Sequence, residues 1–288
     1  MKKLILGAAA AAFAAPAFAA DPMIYVDEPM AVVAQPDRFS GHIEGYVGGL
    51  RFDTDFVDQD AWLFGGAARA NYRLTDRFNA QVDLSGESTR YEDGPNFDTL
   101  GAGLHLYWRD SDRFAVGVFG SATSVYSLFD LKEYLVGPEA QVYFGNLTLY
   151  GQAYMGKLES ESGFFPVLLN ADIWGARGIV RYFLHDNFKL EGEVAYREYD
   201  VDGFENDNWT FAAQADYRFD STPFSVFGRY QFDRFTNDSG SGELDAHKFL
   251  VGLRGTFGAE TLKAEDRYGA TMDLPQNNLP FFGGGMAP

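Results

Sequence analysis

Residues 209 to 235, WTFAAQADYRFDSTPFSVFGRYQFDRF, alternate between apolar and polar side chains on both sides of a short turn. Trp209, Phe211 and Tyr217 fall on one face of the first half, whereas Asp216 and Arg218 fall on the other. A period of two is that of a β-strand, and each half is long enough to cross a bilayer at a tilt. The stretch therefore predicts a transmembrane β-hairpin with one wet face and one apolar face, flanked by aromatic residues at the strand ends.

The same hairpin pattern repeats along most of the chain. Besides the two strands of this hairpin, strands are predicted at residues 41–52, 61–74, 78–91, 99–109, 114–127, 131–144, 147–158, 171–183, 188–200 and 247–257. Five short turns alternate with six longer loops, so the prediction is about twelve strands in sequential order. Ten or fourteen strands stay open as alternatives, because Pro138 interrupts strand six, where we expect a bulge, and strand five loses its alternation after Ser121.

This repeated pattern resembles the Gram-negative outer-membrane β-barrel superfamily, in particular its porin-like members, and identifies no specific member. The resemblance covers residues 39–258. It implies an all-β, transmembrane, antiparallel up-and-down barrel in the outer membrane of a Gram-negative bacterium. The short turns would then lie on the periplasmic side and the longer loops outside the cell. Lys248 to Phe257, KFLVGLRGTF, resembles the terminal aromatic signal for barrel assembly, although 31 residues follow it.

The two ends of the chain lack the strand pattern. Residues 1–20 predict a secretory signal peptide, with Lys2 and Lys3 before a short apolar core and a small-x-small cleavage site at its end. Residues 21–38 contain three prolines and predict an irregular periplasmic arm, either a flexible leader or a small plug. Residues 259–288 are charged and then rich in Gly and Pro, which predicts a disordered periplasmic tail.

Composition excludes several classes of function. The chain has no Cys, so it has neither disulfides nor thiolate sites, and no metal site or cofactor is predicted. No run of about 18 apolar residues follows the N-terminus, so no transmembrane helix is expected. The formal charge of -18 argues against nucleic acid as a partner.

The faces of the predicted strands assign charged residues to the lumen. If the lumen is open, they form acidic and basic ladders that line a pore, with a slight basic excess that favours small anions. If they pair across the lumen, the same charges close it. The residues assigned to the pore lining are Glu44, Arg69, Arg73, Asp83, Glu87, Arg109, Glu139, Arg177, Arg181, Glu191, Glu193, Arg197, Asp216, Arg218, Arg229, Asp233, Lys248 and Arg254.

Aromatic side chains on the opposite face are expected at the two membrane interfaces, where their amphipathic rings are favoured. The predicted aromatic girdle consists of Trp62, Trp108, Trp174, Trp209, Tyr217, Phe219, Phe224 and Phe257.

The predicted outer loops are acidic, for example at Asp53, Asp55 and Asp58. Carboxylates can bind divalent cations that bridge to lipopolysaccharide, but no loop has a defined ligand spacing, so solvated loops are the preferred interpretation. Outer-membrane lipids and lipopolysaccharide are the expected partners, and a homo-oligomer is compatible with the sequence although no trimer interface is visible. The loop at residues 163–169, GFFPVLL, is apolar. It would either fold into the barrel mouth and constrict it, or extend strands seven and eight into the outer lipid leaflet, or pack on neighbouring loops.

Four histidines bear on whether the protein is an enzyme: His42, His105, His185 and His247. His42 and His105 are expected in the lumen as part of its polar filling. His247 is expected on the lipid side near the outer end of strand twelve, and no serine lies opposite it. Because no nucleophile, histidine and orienting group can be assembled, we expect no enzyme activity.

Two functions from different classes remain. The first is a porin-like channel for passive diffusion of small hydrophilic solutes or ions. The second is a closed structural or adhesion barrel that presents acidic loops. A continuous lumen favours the channel, and a lumen crossed by Arg–carboxylate pairs favours the closed barrel.

Overall fold

The computed structural model describes residues 38–54, 59–92, 96–127, 130–160, 170–201, 204–237 and 243–276. The predicted signal peptide, nearly all of the predicted arm, the apolar loop at 163–169 and residues 277–288 lie outside these ranges. Within the described part of the chain there are twelve strands and one helix, α1 (Leu262–Tyr268). The strands are β1 (Phe39–Thr54), β2 (Gln59–Arg73), β3 (Phe78–Tyr91), β4 (Phe97–Asp110), β5 (Phe114–Tyr126), β6 (Leu131–Phe144), β7 (Leu147–Ser160), β8 (Ala171–His185), β9 (Phe188–Val201), β10 (Phe204–Arg218), β11 (Phe224–Asn237) and β12 (Glu243–Phe257).

These strands form one closed antiparallel barrel in which each strand pairs with its neighbours in sequence. The barrel closes between β1 and β12, with Gly41 opposite Phe257 and Phe52 opposite Ala246. Closure leaves no unpaired edge, which is what a sheet needs in order to cross a bilayer. The predicted all-β up-and-down barrel of about twelve strands is confirmed.

The outer wall of the barrel is apolar. Large hydrophobic side chains that point outward are well exposed, such as Trp62 (69 %), Met155 (67 %) and Leu253 (64 %). The inner wall instead holds buried polar and charged residues, together with a cluster of buried hydrophobic residues that includes Leu50, Phe119 and Tyr199. An apolar belt around a polar interior is stable only when lipid surrounds it, so the strands are the membrane-spanning segments. Within the described residues, no helix combines the length and hydrophobicity of a membrane span.

The irregularities expected in strands five and six do not change the strand count. β5 keeps a continuous register with β4 and β6 beyond Ser121. The pairing of β6 with β7 is interrupted at Gly137 and Pro138, but the register is the same on both sides of the gap, so the predicted bulge is wrong. The gap arises because proline has no N–H to donate to β7.

The chain turns back into the barrel after β12. Gly258 has a φ of 72°, a conformation that favours glycine, and an added Cβ there would lie 2.4 Å from the carbonyl oxygen of Phe39. The following helix α1 and residues 269–276 are mostly buried inside the barrel. The prediction of a disordered periplasmic tail from residue 259 is therefore wrong for residues 259–276. We call residues 262–276 the C-terminal plug.

Candidate functional site: the barrel lumen

The inner wall carries the charged residues that the strand pattern assigned to it. In each strand they share the face of the buried positions, whereas their neighbours along the strand point outward. Arg73 lies on this face at the end of β2, where it is half-buried next to a short turn. The inward charged residues are Glu44, Arg69, Arg73, Asp83, Glu87, Arg109, Glu139, Arg177, Arg181, Glu191, Glu193, Arg197, Asp216, Arg218, Arg229, Asp233, Lys248 and Arg254.

Most of these charges are paired with each other. The Glu193 carboxylate accepts hydrogen bonds from Arg177 Nε (2.6 Å) and Arg229 Nη2 (2.7 Å), which come from β8 and β11. Lys248 on β12 donates to Glu87 on β3 at 2.8 Å. Arg177 and Glu193 lie on the neighbouring strands β8 and β9. The Arg229–Glu193 and Lys248–Glu87 pairs join strands that are not paired in the sheet, so these two pairs extend across part of the lumen. Pairing of this kind offsets the cost of removing charges from bulk water.

The helix of the C-terminal plug lies at the end of the barrel with the short turns. Thr261 caps it by accepting a hydrogen bond from the N–H of Ala264 (3.0 Å). The Lys263 ammonium donates to the side chain of Asn146 in the β6–β7 turn at 2.8 Å. The Arg267 guanidinium donates to the carbonyl of Gly145 in the same turn at 3.0 Å. These contacts fix the helix against the short turns.

The inner side of this helix presents a buried carboxylate, Glu265, to the wall. His42 Nδ1 lies 2.6 Å from Glu265 Oε1. Burial raises the pKa of Glu265, but the neighbouring His42 and Arg254 outweigh burial and lower this pKa to about 2. Glu265 is thus held ionised at the end of the lumen.

The extended part of the plug is held through its backbone. Arg109 Nη2 donates to the carbonyl of Gly269 at 2.7 Å, and Gln152 Nε2 donates to the carbonyl of Asp273 at 2.7 Å. Farther toward the long loops, Arg197 Nη2 donates to the carbonyl of Gln276 at 2.9 Å. Because these carbonyls have no sheet partners, the wall side chains satisfy them. The plug therefore follows the lumen from the short turns toward the long loops.

Asp273 joins two opposite walls of the barrel. Its Oδ1 accepts a hydrogen bond from Arg69 Nη1 on β2 at 2.6 Å, and its Oδ2 contacts Arg181 Nη2 on β8. β2 and β8 are six strands apart in a ring of twelve. A single carboxylate of the plug thus bridges the diameter of the lumen.

A polar cavity of about 230 Å³ remains beside the plug. Its lining extends from Leu262 and Glu265 of the helix to Thr99 and Thr123 on the wall near the long loops. A volume of this size holds on the order of 15 water molecules. The charged residues of the lining are the basic Arg69, Arg177, Arg181, Lys189, Arg229, Lys248 and Arg254, and the acidic Glu44, Asp83, Glu87, Glu191, Glu265, Asp266 and Asp273.

The acidic part of this lining comes partly from the plug. Glu265, Asp266 and Asp273 balance a cavity wall that is otherwise basic. The strand pattern could not reveal these three residues, because it ends at Phe257. The local signals that do exist are the capping residue Thr261 and the charged composition of the following segment.

The residues of the predicted aromatic girdle all point away from the lumen. Trp62, Trp174 and Trp209 lie on strands near the long loops, whereas Trp108 is near the short turns, in contact with Phe114 at a ring distance of 5.2 Å. The full set on the outer face is Trp62, Trp108, Trp174, Trp209, Tyr217, Phe219, Phe224 and Phe257.

The inward histidines are part of polar networks. His105 Nδ1 lies 2.9 Å from Glu139 Oε1, and its Nε2 lies 3.6 Å from Asp83. His247 is on the outer face, 2.7 Å from the Tyr230 hydroxyl. In the ranges that the structure describes, no group of three or more His, Asp or Glu residues is arranged to hold a metal ion.

Comparisons by sequence identify no relatives of this chain. No protein-family model matches it. No curated protein matches it either.

Solved structures do resemble the barrel. An outer membrane channel from Pseudomonas putida F1 has a TM-score of 0.54 and 16% identity, covering 83% of this chain and 100% of that chain. The translocator domain of the autotransporter NalP from Neisseria meningitidis has a TM-score of 0.48 and 14% identity, over 78% and 90% of the two chains. A FadL homologue from Pseudomonas aeruginosa has a TM-score of 0.43 and 10% identity, over 77% and 90%. At these identities only the fold is shared. The match to the Pseudomonas putida channel, with its TM-score of 0.54, supports that conclusion.

Proposed function

We propose that this chain, which has the fold of the Gram-negative outer-membrane β-barrels, is an outer-membrane channel for small hydrophilic solutes or ions, narrowed by its own C-terminal plug. The observation that supports this proposal is the polar cavity of about 230 Å³ that stays open between the plug and the wall. A barrel filled only for stability would gain from packing this space with side chains. A hydrated path in an apolar wall is the requirement for passive diffusion.

The volume of the cavity limits the class of solute. With the plug in place, the cavity has room for water, small ions and solutes of a few heavy atoms. The plug carboxylates also cancel the basic excess of the wall. Selectivity between small anions and cations should therefore be weak, rather than the anion preference expected from the strands alone.

Single-channel conductance in a planar bilayer tests the proposal. The mature chain is refolded in detergent, its folding is checked by heat-dependent gel mobility, and it is inserted at low concentration. We expect small, stable conductance steps, with a reversal potential near zero in a gradient of potassium chloride. Folded protein that gives no steps would contradict the channel.

A matched pair of variants links the current to this cavity. Thr123 lines the cavity, and Ser124 is the next residue on β5 and lies on the opposite face. Thr123→Trp should lower the conductance of each step by at least half, because the indole fills part of the path. Ser124→Trp adds the same ring on the lipid side and should leave the conductance unchanged.

A second candidate is supported by the ion pairs across the lumen. If the network of Arg177, Glu193 and Arg229 and the bridge at Asp273 stay closed at all times, the protein is a structural barrel. Its function would then depend on the outer loops, through lipopolysaccharide or a partner protein. Absence of conductance in both the parent and the Thr123→Trp protein is the result that favours this candidate.

A further inference from the structure

The bridge at Asp273 has the chemistry of a carboxylate-binding site. Two arginines from opposite walls, Arg69 and Arg181, converge on the two oxygens of one carboxylate. Arginine is the side chain best suited to bind carboxylates, because its planar group donates several hydrogen bonds in a fixed geometry. Each arginine also pairs with one wall carboxylate, Arg69 with Asp83 at 3.1 Å and Arg181 with Glu191 at 3.0 Å. Asp273, the carboxylate that the two arginines share, belongs to the plug.

The occupied site can be reached from the cavity. Arg69, Arg181 and Asp273 all contribute to the cavity lining. Their side chains are 20 %, 4 % and 17 % exposed, so two of the three partners have a surface that faces the open space. A solute in the cavity therefore meets the same arginines that bind Asp273.

The wall supplies further groups that complete the site. Arg177 Nη1 donates to the carbonyl of Leu274 at 3.0 Å, one residue beyond Asp273. The Asp273 N–H donates to the Tyr150 hydroxyl at 3.2 Å. If the plug shifts, the Arg177 and Tyr150 groups become available to a bound solute in place of the plug backbone.

We propose that Arg69 and Arg181 form a binding site for small carboxylate solutes, and that Asp273 occupies this site as a tethered competitor. The inference deepens the proposed channel function and rests on it, because the solute reaches the site through the lumen. A carboxylate that replaces Asp273 would release the plug from Arg69 and Arg181. Solute binding and loosening of the plug would thus be one event.

Equilibrium binding of succinate to the refolded mature chain tests this site. Titration calorimetry in detergent at constant ionic strength compares the parent protein with Asp273→Asn. The substitution removes the competing charge, and we expect succinate to bind about tenfold more tightly, equivalent to ~1.4 kcal/mol. Uncharged succinamide should not bind measurably to either protein.

Three control variants separate this site from general electrostatics. Glu260→Gln removes the same charge from an exposed position just before the plug and should leave succinate affinity unchanged. Asp273→Glu keeps the competing carboxylate and should behave as the parent. The double variant Arg69→Gln with Asp273→Asn should not show the tenfold gain in succinate affinity. Each protein is first shown to be folded by heat-dependent gel mobility.

The outcomes distinguish the site from the channel. Equal succinate affinity in the parent and Asp273→Asn proteins, or an equal gain in Glu260→Gln, would overturn the site whether or not the protein conducts. If Asp273→Asn binds succinate more tightly as expected but the protein gives no conductance, the binding site is supported and the channel is refuted. If Asp273→Asn does not fold, Arg69→Gln alone must weaken succinate binding relative to the parent, and an unchanged affinity would overturn the site.

Discussion

The buried pair of Arg197 and Glu133 should be one of the most costly interactions to break in this barrel. Arg197 Nη1 lies 2.9 Å from Glu133 Oε2, and both side chains are only 3 % exposed. Arg197 also donates to the hydroxyls of Tyr154 (3.2 Å) and Tyr199 (3.1 Å). Among the described residues, Arg197 is the basic partner with which Glu133 forms its ion pair. Arg197→Met would leave the Glu133 carboxylate buried without that partner.

The expected magnitude follows from this burial. Removing one partner of a buried ion pair costs roughly 3–5 kcal/mol, because the other charge stays desolvated. Replacing both partners with apolar residues of similar size avoids that penalty. We therefore expect Arg197→Met to lower the free energy of unfolding by ~3–5 kcal/mol, and the double variant with Glu133→Leu to recover at least ~2 kcal/mol of the loss.

Urea unfolding in phospholipid vesicles, followed by tryptophan fluorescence, measures these free energies. The four proteins of the cycle are the parent, the two single variants and the double variant. The exposed pair of Arg234 and Asp245, with an Nη2–Oδ2 distance of 2.7 Å, is the control. Arg234→Met should cost less than ~1 kcal/mol. A loss of unfolding free energy below ~1 kcal/mol for Arg197→Met would refute this reasoning. So would a double variant whose loss of unfolding free energy equals or exceeds the sum of the losses in the two single variants.

Three further perturbations have defined outcomes. An added Cβ on Gly103 would lie 2.5 Å from the Leu274 side chain. Gly103→Val should therefore push the plug aside and speed amide hydrogen exchange in residues 271–276. Unchanged exchange would contradict this packing. The pKa of Glu265 falls from an ordinary 4.5 to about 2, because His42 and Arg254 together outweigh burial. Docking of α1 should therefore be fully stabilised above pH 5 and should weaken as the pH falls toward 2. Amide hydrogen exchange in α1, corrected for the intrinsic exchange rate at each pH, should show this trend. Glu265→Gln should reduce the pH dependence. Pro138→Val restores an N–H toward β7 and should raise the free energy of unfolding by up to ~1 kcal/mol in the urea assay.

The strands and their faces could be predicted from the sequence because their signals are local. Alternation puts one set of side chains in lipid and the next in the lumen, so each strand reports its own orientation. β3 and β6 have the predicted bounds of 78–91 and 131–144. The other strands differ mainly at the loop ends, where pairing continues beyond the apolar belt. β12, for example, begins at Glu243 rather than at residue 247.

The partners inside the lumen could not be predicted in the same way. Arg197 and Glu133 are 64 residues apart in the chain and come from β9 and β6. Their contact depends on the curvature of the closed barrel, which brings strands together that share no hydrogen bonds. The sequence could place both charges on the inner face, but both the open and the closed lumen were consistent with that placement.

Local alternation is enough to specify the barrel, because a period of two repeated over membrane-length segments has few other stable arrangements. The position of residues 262–276 depends instead on contacts with strands that are distant in the chain. The composition of residues 259–288, charged and then rich in Gly and Pro, resembles that of a disordered tail. The closed barrel supplies partners for the plug in Arg69, Arg109 and Arg181, and the plug carboxylates balance a wall that is otherwise basic. Long-range electrostatic complementarity therefore orders a segment whose local signals, such as the capping residue Thr261, are too weak to predict its position in the lumen.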